Sequence, residues 1–261
     1  MLRMFFTVAG PIKLLPYFLR YYIGGGVEHL VFSCYEPDTE RYNLIRDIVD
    51  QHCQEGGATW ETGFHDYKPM DWESRGDRVA RIVKRKGWLD DWVLYPDLDE
   101  FVRWPKKPIR EYLDSLPDDQ QVVQGQWVDR CTNTGRLIRI NPSKSLDEQF
   151  PCRAKLSWNI GRTISHVVVA CRGVAPSRHH PKQGTTAKCK MNDKPIEVHH
   201  FKWNSVVARR IKARREYYKK LGMPNVPNLD HLVKYFQRNG GKINVRDRKL
   251  KVRVVKRPLG I

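Results

Sequence analysis

No run of about 18 to 20 uninterrupted apolar residues, the length a spanning helix needs, occurs in this 261-residue chain. The one candidate, near the N-terminus, is broken by Pro11, Lys13, Pro16 and Arg20. A cleaved leader is not expected either, because Met4 to Gly10 reaches only the short limit of an h-region and Arg3 is the only charge ahead of it. Cysteine is sparse: Cys34, Cys53, Cys131, Cys152, Cys171 and Cys189 stand at least 18 residues apart, so no C-x-x-C zinc pattern and no dense disulfide framework is available. Low-complexity tracts are missing, and 40% hydrophobic with 11% aromatic residues against 29% charged excludes a disordered chain. What remains is a soluble, non-secreted globular protein with reduced thiols, expected in the cytoplasm and large enough to bury a sizeable core.

Acidic residues are scarce in one region only. The whole chain carries a formal net charge of +18, which suggests a polyanionic partner. From Ser205 to Ile261 there are 17 basic and 3 acidic residues, a net +14, whereas Met1 to Asn204 carries only +4. The sequence therefore reads as a body, residues 1–204, followed by a basic appendage, residues 205–261. The appendage starts with a helix pattern over Ser205–Leu221, in which Val207, Ile211, Tyr218 and Leu221 fall near one face among Arg209, Arg210, Lys212, Arg214 and Arg215. Such a helix is either a solvated surface or a peripheral contact with an anionic membrane, at about 1 kcal/mol per basic residue near the headgroups. A second helix, Leu229–Arg238, ends at Gly240 and Gly241, and Leu250, Val252 and Val254 alternate with basic residues as a last strand would.

Strand and helix signals alternate through the body, the pattern of an α/β layer structure. Leu2–Val8 reads as a strand. Leu14, Leu15, Phe18, Leu19, Tyr22 and Ile23 have helical spacing, stopped by Gly24, Gly25 and Gly26, and His29–Ser33 is a buried-type strand. Glu36 and Asp38 follow that strand, where open parallel sheets gather ligand contacts, although Asp38 also suits the N-cap of a helix over Arg41–Cys53. A third strand near Ala58–Thr62 and a basic helix over Arg75–Lys86, with Val79, Ile82 and Val83 inward and Arg78 among its charges, complete the approach to the most informative segment.

That segment is Trp88 to Phe101, in which an apolar strand runs into Asp97, Asp99 and Glu100. In extended chain, residues two apart project to the same side about 6.5 to 7 Å from each other, so Asp97 and Asp99 can face one pocket. Like charges held close raise each other's pKa unless a cation neutralises them, and hard divalent ions take carboxylate oxygens while leaving positions for phosphate and water.

The block from Trp88 to Phe101 resembles the acidic signature of family-2-like glycosyltransferases with the GT-A fold, in the bacterial and viral branch that carries a DLDEF or DADEF motif. Gly26, Val27, Glu28, His29 and Leu30 resemble its second strand, and Val198, His199, His200, Phe201, Lys202 and Trp203 resemble its closing histidine segment. The likeness spans about Phe5 to Leu221 and departs at the start, where Ala9, Gly10 and Pro11 replace the Asn-Glu pair common in the family. It implies a GT-A-like mixed sheet flanked by helices over residues 1–204, a nucleotide-sugar donor, and manganese or magnesium bridging the acidic motif and the donor diphosphate.

By that resemblance the metal ligands are drawn from Asp97, Asp99, His199 and His200, with Asp99 the direct ligand and Asp97 reaching ribose or metal. Thr7, Ala9, Glu36, Asp38, Arg78, Asp97 and Lys202 are the donor contacts. His199 and His200 point to opposite sides of an extended Glu197–Trp203, so one of them reaches the site. His179 and His180 form a second pair, on a loop that could close over the donor. An inverting transfer needs a carboxylate to take the acceptor hydroxyl's proton. Asp129, read as standing just past a strand over Val122–Val128, is the first candidate, an ion pair with a basic neighbour being its alternative role. Its rivals are Asp147, Glu148 and Glu100, the last of which either orients the acceptor or supports its loop. The expected activity is transfer of a sugar to a saccharide or lipid-linked acceptor, at the inner face of a membrane if the basic segment binds one. The alternatives are a metal-dependent nuclease or phosphotransferase and a nucleic-acid-binding module. The organised strand-helix order ahead of Asp97, and a charge excess confined to the C-terminal segment, argue against nucleic acid as the partner.

Overall fold

The computed structural model describes residues 1–8, 12–34, 38–65, 72–106, 108–160, 166–173, 190–223 and 226–261. In chain order the elements are β1 (Leu2–Val8), a 3-10 turn (Ile12–Leu14), α1 (Leu15–Ile23), β2 (His29–Cys34), α2 (Thr39–Gly56), β3 (Thr59–His65), α3 (Trp72–Arg85), β4 (Trp92–Leu94), β5 (Glu100–Val102) and α4 (Ile109–Asp114). There follow β6 (Gln120–Cys131), α5 (Leu146–Gln149), β7 (Cys152–Ala154), α6 (Leu156–Asn159), β8 (His166–Cys171), β9 (Lys190–Met191), β10 (Ile196–His200), α7 (Val207–Lys220), α8 (Val226–Arg238), a 3-10 turn (Arg248–Leu250) and β11 (Arg253–Val254). Two compact units result, and neither is a continuous stretch. The first comprises Met1–Gln126 and His166–Val198, the second Trp127–Ser165 and His199–Ile261.

The first unit is an α/β structure with a mixed sheet. Its strands run in the order β3-β2-β1-β4-β8-β6, with β1 to β4 mutually parallel and β8 antiparallel to β4 and β6. β1 and β2 read as almost unbroken apolar runs because parallel strands are covered on both faces, and their register pairs Phe5 with Val31 and Phe6 with Phe32. Helix α1 carries Pro16 in its first turn, where the missing N–H costs nothing, and buries Leu15, Phe18, Leu19, Tyr22 and Ile23. Its exit through Gly24–Gly26 uses a positive φ of 100° at Gly26. Helix α2 starts at Asp38, whose carboxylate accepts the N–H groups of Glu40 and Arg41 at 3.0 and 3.2 Å. One core cluster gathers Phe5, Val31, Val79, Val83, Val93, Tyr95, Val122, Val168 and Cys171. Gly125 on β6 is required by close approach, because a Cβ there would stand 2.4 Å from Val198 Cγ2 and 2.6 Å from Val169 Cγ2.

The second unit joins the end of β6 to β7 and β7 to β11, both pairings antiparallel. Helices α7 and α8 pack on each other, and Val207, Ile211, Tyr218, Leu229, Leu232 and Phe236 share a core with Trp203, Cys131, Cys152, Leu156, Ile243 and Leu250. The basic segment is therefore part of a folded core built with residues 127–165, whereas the charge pattern places a boundary at Asn204. The apolar stripe of α7 is spent on that core, and of its four members only Leu221 is exposed. The last strand is also shorter than the alternation predicts. Lys251 takes φ 49°, a left-handed conformation that interrupts the extended chain, and only Arg253–Val254 pair. Among the described residues no helix is long and apolar enough to cross a membrane.

Candidate functional site

In the first unit the strand order 3-2-1-4 creates a switch point between β1 and β4, since the chain leaves β1 toward β2 on one side and returns to β4 on the other. Ligands of open α/β sheets gather at the carboxyl ends of the strands flanking such a point. From the carboxyl end of β4 the chain continues through Tyr95 and Pro96 directly into Asp97, Leu98, Asp99 and Glu100. These four residues form a turn rather than the extended strand the pairing argument assumes. The Glu100 N–H donates to the Asp97 carbonyl oxygen at 2.9 Å, and the Asp97 N–H donates back to Glu100 Oε2 at 3.1 Å.

The turn sorts its acids. Leu98 and Glu100 are buried, at 4% and 2% exposure, while Asp97 and Asp99 are half-buried and reach solvent. From Glu100 onward the chain is anchored. The hydroxyl of Tyr22 donates to the Glu100 carbonyl at 3.0 Å and that of Tyr21 to the Val102 carbonyl, and Phe101 is fully buried against Phe18, Tyr21 and Tyr22. Burial pushes the Tyr22 phenol well above its ordinary pKa, with the charges of Tyr21 and Glu100 adding to it, so it stays a neutral donor. Of the acids expected to act, Glu100 thus braces the turn and Asp97 and Asp99 are presented by it. Asp91, ahead of β4, is held apart from this group by its ion pair with Arg3 at 2.7 Å.

Thr7 lies buried near the end of β1, paired in register with Ser33, and Arg78 is half-buried on α3. Asp38 is exposed and caps α2. Ala9 and Glu36, like His179 and His180, lie outside the described residues.

In the second unit Asp129 sits inside β6, not beyond its end, because that strand runs on to Cys131. It is 2% exposed, and both oxygens are engaged. Oδ1 accepts from Ser157 Oγ at 2.6 Å, Trp203 Nε1 at 2.8 Å and His200 Nδ1 at 3.0 Å, and Oδ2 accepts from the Ser157 N–H at 2.6 Å. Burial pushes this carboxyl up, but the hydrogen bond and charge of His200, together with Ser157, outweigh it and hold it below the usual carboxylate range. The carboxylate expected to take a proton is thereby committed to fixing its neighbours. Its bond to His200 Nδ1 keeps a proton on Nδ1 and orients the ring, which stacks on Trp127 at 4.7 Å.

His199 turns to the other side, as alternation requires, and meets a different partner. Arg130 is fully buried and donates from NH1 to His199 Nδ1 at 2.9 Å, from Nε and NH2 to the Phe150 carbonyl, and from NH2 to Asp147 Oδ1 at 2.8 Å. A guanidinium beside its ring makes His199 a poor neighbour for a cation. Asp147 in turn accepts the N–H groups of Leu259 and Gly260 through Oδ2, at 2.7 and 2.8 Å. Lys202 is half-buried with its Nζ 5.4 Å from the Trp203 ring centre.

Among the described residues no three His, Cys, Asp or Glu side chains form a group able to hold a metal ion. At the acidic turn Asp97 and Asp99 are the two carboxylates that reach solvent and could meet a cation. Sequence reasoning missed Ser157, the Trp203 indole as a donor and the Arg130 hub. The signal was present in Gln126–Cys131, where an Asp-Arg pair with apolar neighbours on both sides demands buried partners.

No family model matches the chain, and no curated protein matches it. Among solved structures, HddC from Yersinia pseudotuberculosis is similar at 14% identity, over 68% of this chain and 72% of that one, with a TM-score of 0.32. A glycosyltransferase involved in the glycosylation of the major capsid of PBCV-1 is similar at 10% identity, over 49% of this chain and 50% of that one, with a TM-score of 0.24. Likenesses this distant do not extend to activity.

Proposed function

We propose that the protein is a transferase that uses a nucleotide-sugar donor, and specifically a metal-dependent glycosyltransferase that moves the sugar to a saccharide or lipid-linked acceptor in an inverting reaction. The observation that carries this reading is the acidic turn at the β1/β4 switch point, with Asp97 and Asp99 half-exposed and Glu100 and Phe101 turned inward. The donor set fits the ion, since two carboxylates are hard oxygen ligands of the kind manganese and magnesium take. When bound, the ion would stabilise negative charge on the departing diphosphate. The chain's own contribution is to hold the two acids in place. The reciprocal bonds of Glu100, the tyrosine anchors and the buried Phe101 fix the backbone of the turn before any ligand arrives, which lowers the ordering cost of binding. Thr7 stands near the end of the other strand at the switch point.

Thermal-shift measurements with UDP, GDP, dTDP and CDP, with and without manganese, on the wild type and Asp99→Ala test the reading. A stabilisation by one nucleotide that needs the metal and vanishes in Asp99→Ala is expected. Failure of every nucleotide to shift the melting temperature, or a shift that persists in Asp99→Ala, would overturn it.

A further inference from the structure

The charge pattern alone directs attention to the amphipathic helix now seen as α7, yet the apolar stripe of α7 is buried against α8 and cannot enter a bilayer. Of its cations, Arg215 pairs with both Glu216 and Asp230. These are two of the three acidic residues in the C-terminal segment, and the third, Asp247, caps the N–H of Lys249. A second group of basic residues lies around β7 and β11. β11 pairs with β7 so that Arg253 stands directly opposite Arg153, both exposed. Next to this pair, the Lys155 N–H donates to the Leu250 carbonyl at 2.8 Å, and Asn159 donates to the Lys249 carbonyl at 2.8 Å, which docks α6 on the 3-10 turn Arg248–Leu250. Lys155, Lys249 and Lys251 are exposed there, and Trp158 of α6 is 60% exposed.

We propose that this face, formed by β7, β11, α6 and the 3-10 turn, docks on the surface of an anionic lipid bilayer with Trp158 as its interfacial anchor. Arg153, Lys155, Lys249, Lys251 and Arg253 are all exposed and give this face a charge complementary to a plane of lipid phosphates. An indole with an apolar body and a polar N–H sits at headgroup level, and flanking Lys and Arg side chains extend along it toward the phosphates. A single-stranded nucleic acid would use successive stacking rings along a basic groove. Trp158 is the only large aromatic among the highly exposed hydrophobic residues described. The inference is independent of the chemistry proposed for the acidic turn.

The test is co-sedimentation of the full chain with vesicles of phosphatidylcholine alone and of phosphatidylcholine with phosphatidylglycerol, at low and high salt. Binding is expected to anionic vesicles only and to weaken with salt. Arg153→Gln/Lys155→Gln/Arg253→Gln should lower the partition coefficient on the order of 100-fold, from about fivefold per basic residue at the surface. Arg209→Gln/Lys212→Gln/Lys219→Gln, which removes the same charge from α7, should lower it less than the first triple variant does, because the apolar stripe of α7 is buried in the core and gives that helix no anchor in the bilayer. Independently of these variants, brominated lipids should quench a tryptophan signal in the wild type that is missing in Trp158→Phe. Equal losses in the two triple variants, identical quenching with and without Trp158, no binding to anionic vesicles, or tighter binding of a single-stranded oligonucleotide than of vesicles would each overturn the proposal.

Discussion

Glu100 and Asp97 close their turn from both ends: the Glu100 carboxylate accepts the Asp97 N–H at 3.1 Å, and the Glu100 N–H donates to the Asp97 carbonyl at 2.9 Å. One acid thus sets the backbone that presents two others. Glu100→Gln keeps an acceptor oxygen for the Asp97 N–H and should retain most metal-dependent nucleotide affinity. Glu100→Ala leaves that N–H without its acceptor, at a cost of about 1 to 3 kcal/mol in urea unfolding, and should weaken nucleotide binding more than the stability loss alone explains. Equal affinities for the Ala and Gln variants would contradict the bracing role.

Asp129 links stability to pH. Its folded pKa is held below the unfolded value, so its contribution is complete above the ordinary carboxylate range of about 3.9 and is lost as pH falls through the lower folded value. Asp129→Asn, which puts an amide in front of the Ser157, His200 and Trp203 donors, should cost about 3 to 5 kcal/mol at pH 7. The difference between wild type and variant should shrink in denaturant titrations as pH falls below the ordinary carboxylate range and through the lower folded value. A difference that stays constant with pH would refute an ionised Asp129.

Gly125→Ala should destabilise the first unit by about 1 to 3 kcal/mol through overpacking, since the new methyl meets Val198 and Val169 well inside contact distance. Val198→Ala in the same chain should recover part of that loss. Additive costs in a double-mutant cycle would show that the methyl is accommodated elsewhere.

Three of the described cysteines, Cys53, Cys131 and Cys152, should be slow to react. Cys131 and Cys152 face each other across β6 and β7, both as free thiols, and burial pushes the Cys131 thiol up to about 12, with Cys152 and Asp129 adding to it. Burial likewise raises Cys53, to about 11. At pH 8 these three should resist alkylation in the native protein and label fully in guanidinium, read peptide by peptide by mass spectrometry.

The long periodic elements of the first unit were legible in the sequence. Leu2–Val8 is the observed β1, and the α1, β2 and α2 patterns fall within a few residues of the real ends, because apolar spacing, glycine stops and the Asp38 cap all act locally. The acidic motif was legible as residue types but not as geometry, since a turn closed by Glu100 replaces the extended pair. The second unit was hardly legible. Its α5, β7 and α6 are three to four residues long, too short for any period, and β11 is shortened by a left-handed Lys251. Asp129 was misplaced at a strand end because a charged pair reads as surface unless its partners are known. Those partners, Ser157, His200 and Trp203, lie 28 to 74 positions away.

The clasp of Asp147 on Leu259 and Gly260, reinforced by the Leu146 N–H on the Ile261 carbonyl at 2.7 Å, has a consequence for biosynthesis. Residues 127–160 leave the ribosome before many of the partners that bury them: the bond from Arg130 to His199 waits for β10, and Asp147 gains its Leu259 and Gly260 donors only when those residues arrive. A nascent chain must therefore carry an unfinished core through the later part of its synthesis. Contacts this distant in sequence also make folding slow. Chains cut at Asn204 forfeit the second unit's helical core as well as the basic charge.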